Sequence, residues 1–195
     1  MTVTRQAPRL PHDFETALAS LRRADVRPEV VLEEIPAPKR QAPYAVALSA
    51  DATTAHGEEA TGRFILLHDP AGRQVWQGNF RIVTYLRATL DAQMAADPLM
   101  GQVAWTWLTE ALDEHRAEHH HAGGTATRVL SENFAALADD PEQVPGNHVE
   151  VRASWTPHGT DLTAHLQAWA DMVASFAGLP PVVDGVIPLP LPRHR

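Results

Sequence analysis

Apolar positions recur at helical spacing in three stretches of the chain and at strand spacing in several others. Phe14, Ala17, Leu18 and Leu21 fall on one face of a helix that the spacing starts near Pro11. Asp13 and Glu15 near its start and Arg22 and Arg23 near its end suit the helix dipole. Arg27–Ile35 reads as a short strand, and Tyr44–Ala52 alternates as a second. Between them Pro36, Pro38 and Pro43 exclude helix and central strand, so 36–43 is an extended connector. Phe64–Leu67 and Gln74–Trp76 flank Asp69-Pro70-Ala71-Gly72, which predicts a type I turn. With Phe80–Leu86 these segments predict an antiparallel meander over 61–90. Met100, Val103, Ala104, Trp107, Ala111 and Leu112 predict a second helix over about Pro98–Glu118, stopped by Gly123-Gly124. Thr125–Leu130 and Val149–Trp155 read as further strands around a polar loop at 139–148. A third helix starts at Asp161 as N-cap, with a core stripe of Leu162, Leu166, Trp169, Val173 and Phe176, and ends at Gly178. The order predicts an α+β fold: a mostly antiparallel sheet of about six strands with about three helices mainly on one face.

Composition bounds this picture. The 195 residues carry sixteen Lys+Arg against twenty-four Asp+Glu, a net charge of −8, and no cysteine. A disulfide framework, a Cys-based zinc site and a thiol enzyme are excluded. No apolar run reaches the roughly 20 residues a membrane helix needs. The acidic balance argues against nucleic-acid and anionic-membrane partners. One domain over 1–195 is expected, with an ordered core over about 11–181 and extended tails at 1–10 and 187–195. No secretory signal is visible at the N-terminus, so the expected location is cytoplasmic.

Candidate chemistry is sparse. On a helix His115 and His119 would face the same way, and two imidazoles four residues apart can chelate zinc, nickel or copper, with Glu118 adding an oxygen. The run lacks the H-E-x-x-H pattern and a third ligand, and a solvated helix end is the simpler explanation. His68-Asp69 could orient an imidazole for base catalysis, although Asp69 also suits the start of a turn. Glu33 and Glu34 are adjacent on a strand and point to opposite faces, and Asp139-Asp140 reads as a solvated loop. No phosphate-binding glycine loop and no G-x-S-x-G elbow occurs. Trp76, Trp107, Trp155 and Trp169 read as packing residues, and Trp105, nearly opposite Trp107 on its helix, is either a second packing face or an exposed interaction residue. Lys39 and Arg40 in the proline connector are the candidate contact for a protein partner.

The strings RPEVVLEEIPAP (27–38), APYAVALSA (42–50), LLHDPAG (66–72), MAADPLM (94–100), WLTEAL (107–112) and ASWTP (153–157), with the W-x-G of Trp76 and Gly78, resemble the actinobacterial domain of unknown function 3000 family. The likeness runs from about Phe14 to Pro181. It implies an actinobacterial, cytoplasmic protein and carries over no activity, cofactor or catalytic residue. The reading that follows is a non-catalytic binding or adaptor module without a cofactor. The alternatives are an enzyme whose site is assembled from distant residues, such as His68 with acids, or a metal-binding protein through His115 and His119.

Overall fold

The computed structural model describes residues 10–54, 59–138 and 146–180. The elements run α1 (His12–Arg23), β1 (Val30–Ile35), β2 (Tyr44–Thr53), β3 (Glu59–Arg73), β4 (Gly78–Thr89), α2 (Ala92–Ala96), α3 (Met100–Glu114), β5 (His119–Val129), β6 (His148–Pro157) and α4 (Thr163–Phe176). The strands form one antiparallel sheet in the order β1-β2-β3-β4-β6-β5. The fold is α+β, as the pattern predicts, with α2 as an additional short helix. Among the described residues no helix is long and apolar enough to cross a membrane.

Strand alternation decides which face is covered. Phe64, Leu66, Phe80, Ile82, Leu86, Val149, Val151 and Trp155 are buried on the inner face, beneath Leu162 and the buried stripe of α4: Leu166, Trp169, Val173 and Phe176. Arg63, Tyr85, Arg87 and Arg152 occupy the alternate positions. Trp169 reaches into the sheet, its Nε1 donating to Thr84 Oγ1 at 2.6 Å, and that hydroxyl donates to the Arg63 carbonyl at 2.9 Å. The approach depends on Gly62, where a Cβ would lie 2.7 Å from the Trp169 ring. Ser20 ties α1 to α4: its hydroxyl accepts from Leu162 N at 2.8 Å and donates to Ala17 O at 2.7 Å.

Four boundaries differ from the sequence reading. Asp69–Gly72 does not reverse the chain. Asp69 does accept from Ala71 N at 3.2 Å, but the register shift between His68 and Arg73 makes this a bulge within β3. The reversal falls at Gln74–Gln77, so Gln74–Trp76 is turn and not strand. The predicted 98–118 helix ends at Glu114, because Arg116 turns left-handed at φ 53°. Gly123-Gly124 is then no helix stop but part of β5, which starts at His119. Gly124 lets the Trp105 ring lie on the strand, where a Cβ would meet that ring at 2.8 Å. Finally, α4 begins at Thr163, and Asp161 caps it from outside, accepting from Thr163 N at 3.1 Å. The loop residues 139–145 and the tails 1–9 and 181–195 lie outside the described residues.

Candidate functional site

Small residues create a concavity among the described residues. Where β4 ends and β6 begins, the inner face carries Ala88 and Val149. The helices above present Ala111, Ser175, Ala177 and Gly178. Their missing bulk leaves a groove of about 690 Å³. Its floor is apolar and buried: Ala88, Leu90, Met100 and Val149. Trp107 and Phe176 form a wall, their rings edge to face with centroids 5.2 Å apart. Met94 of α2 and Leu179 after α4 complete the apolar lining.

The rim is acidic. Asp91, Glu110, Glu114 and Asp171 all line it. Asp91 also caps α2, accepting from Met94 N at 2.7 Å. Asp171 accepts from His115 Nε2 at 2.6 Å, which ties the end of α3 to α4. Arg27 is the one cation in the lining of the described groove. It forks onto Glu29 at 3.2 and 3.3 Å and donates to the Pro180 carbonyl at 3.1 Å. That pairing holds the Glu29 carboxyl below its ordinary range. A shallower hollow of about 260 Å³ on the outer side of α3 shares Trp107 and Glu110 with the groove.

The residues singled out from sequence are not gathered in this groove. Lys39 and Arg40 are exposed in the turn between β1 and β2. That turn adjoins Tyr44, whose row continues through His68 and Phe80, whereas the groove lies at the Ala60–Ala88 end of the same strands. His115 and His119 share no helix face, because α3 ends at Glu114 and His119 belongs to β5. His119 Nδ1 donates to the Ala117 carbonyl at 2.8 Å and His120 Nε2 to the Gln77 carbonyl at 3.1 Å. The histidine run thus fastens backbone segments together. Among the described residues no three His, Asp or Glu are placed to hold a metal ion.

His68 is 1% exposed, its ring stacked on Phe80 at 4.3 Å and facing Phe14 and Tyr44. Its Nδ1 donates to the Asn79 carbonyl at 3.1 Å, and its Nε2 has no partner among the described residues. Burial pushes its pKa down. Asp69 pairs with Arg73 at 2.8 Å, so no His68–Asp69 dyad forms. Glu33 and Glu34 stand on alternate positions of β1, opposite Ser49 and Leu48. Asp139-Asp140 lies outside the described residues.

Sequence reasoning placed Met100, Trp107, Ala111 and Phe176 correctly on apolar stripes, and missed that they surround a space. The available signal was the concentration of Ala, Ser and Gly at the end of α4 and the acidic pair Glu110 and Glu114, four residues apart on α3. A family model described as a protein of unknown function (DUF3000) matches residues 10–187. No curated protein and no solved structure matches the chain.

Proposed function

The chain belongs to the DUF3000 family, whose description names no activity, and from its groove we propose that it is a non-catalytic binding module. The observation that carries this reading is the groove itself. A concavity of about 690 Å³ with a buried apolar floor, an aromatic wall and a few polar groups at its rim has the make-up of a small-ligand site. Three of its polar groups, Ser175, Asp91 and Asp171, are already committed to architecture. The Ser175 hydroxyl donates to the Asp171 main-chain carbonyl at 3.0 Å. Asp91 caps α2, and Asp171 holds His115. The lining therefore offers contact surface, and the most strongly perturbed imidazole, His165, lies elsewhere in the core.

Filling the groove tests the reading. The neutral dye Nile red should bind the wild-type protein saturably with a rise in emission. Ser175→Phe, which puts a ring into the space beside Phe176, should weaken that binding at least about tenfold. Its circular dichroism and melting temperature should stay near wild type. Equal binding by the filled variant, or no saturable binding by the wild type, would count against the groove as a site.

A further inference from the structure

We infer that the groove's ligand is a small amphipathic cation: an aliphatic or aromatic body that bears a protonated amine or guanidinium. This rests on the binding reading above and names the chemistry of the occupant.

Two features point to positive charge. First, Glu110 and Glu114 stand one turn apart on α3, and Asp91 and Asp171 face the same opening from other elements. The charge of Arg27 is already matched by Glu29, and Asp171 is paired with His115, so among the described residues Glu110, Glu114 and Asp91 are the rim carboxylates without a cationic partner. Second, α4 ends at the groove. Gly178 turns left-handed at φ 77°, with Gly178 N donating to Ser175 O and Leu179 N to Ala174 O. The negative end of the helix dipole therefore opens where Phe176 and Ala177 line the space. A cation at this rim sits beside an apolar floor that excludes water, where charge attraction is stronger than in bulk solvent. An anion there would meet both the carboxylates and the helix end.

The shape points to a compact occupant. The lining converges from α2, α3, the end of α4 and the ends of β4 and β6, so the space does not run along a single element. The volume of about 690 Å³ suits a drug-sized body. The apolar part would rest on Met100 and Val149 against Trp107 and Phe176, with its charged end toward Glu110 and Glu114.

Calorimetric titration with three probes of one chain length separates charge from apolar burial: octylammonium, octanol and octanoate. The wild-type protein should bind octylammonium about tenfold more tightly than octanol, and octanoate more weakly than either. Added salt should shrink that preference. In the double variant Glu110→Gln, Glu114→Gln, the preference for octylammonium over octanol should shrink at least about threefold, with octanol binding unchanged. Octanoate binding as tightly as octylammonium, or a preference undiminished in the double variant, would overturn the inference and leave the binding reading standing. Failure of all three probes to bind would overturn both.

Discussion

Trp155 and His165 decide each other's state in the buried core. The indole N–H can only donate, so His165 Nδ1 must accept it, at 3.2 Å. The proton then resides on Nε2, which is bonded to the Glu118 carbonyl. Burial, reinforced by the nearby His119 and His158, pushes the His165 pKa down from 6.5 to about 4. As pH falls, the unfolded chain takes up this proton before the folded one. The neutral ring's contribution is complete above about pH 6.5, declines as pH drops, and is lost by about pH 4. The loss is on the order of 3 kcal/mol. An NMR titration of the folded protein should give His165 a midpoint near 4. A midpoint in the ordinary histidine range would contradict its buried bonding. None of this was legible from sequence. His165 reads as one polar residue on an apolar helix, and the residue that fixes its tautomer lies ten positions earlier on a strand.

Helices α3 and α4 end in the same way on different residues. In α4, Gly178 is left-handed at φ 77° and Leu179 N closes on Ala174 O. In α3, Arg116 is left-handed at φ 53°, with Arg116 N donating to Asp113 O and Ala117 N to Leu112 O. Glycine makes the first stop readable. Arginine hides the second, which is why the sequence pattern carries α3 one turn too far and puts His115 and His119 on one helix. The same holds for Asp69-Pro70-Ala71-Gly72: its local bonding is that of a turn, but pairing of β3 with β4 resumes beyond it as a bulge. Strand and helix existence follows from periodicity, because burial on one face imposes it. Boundaries depend on φ values that non-glycine residues disguise. Left-handed backbone costs a side-chain-bearing residue about 1–2 kcal/mol, and glycine avoids most of that cost. Arg116→Gly should therefore raise the unfolding free energy by about 1 kcal/mol in urea denaturation. A loss of stability would show that the arginine side chain contributes more than its backbone strain costs.

At the scale of the molecule, one sheet divides two environments. Its inner face and the helices bury Trp155, Trp169 and the long apolar stripes, and its other face carries arginines and Tyr85. The groove lies at one end of that layering, where large side chains give way to alanine, serine and glycine. Its location was not legible because it belongs to no single element. It forms where α2 breaks from α3, where α4 stops and where β4 and β6 meet, and each contributes a few residues. Its acidic rim agrees in sign with the net charge of −8. The four methionines provide the most direct measurement, since Met94 and Met100 line the groove and Met172 is buried outside it. With methyl-labelled methionine, titration with octanol should shift the Met94 and Met100 signals saturably and leave Met172 in place. Signals at Met94 and Met100 that do not move, or that move no more than Met172, would contradict the account.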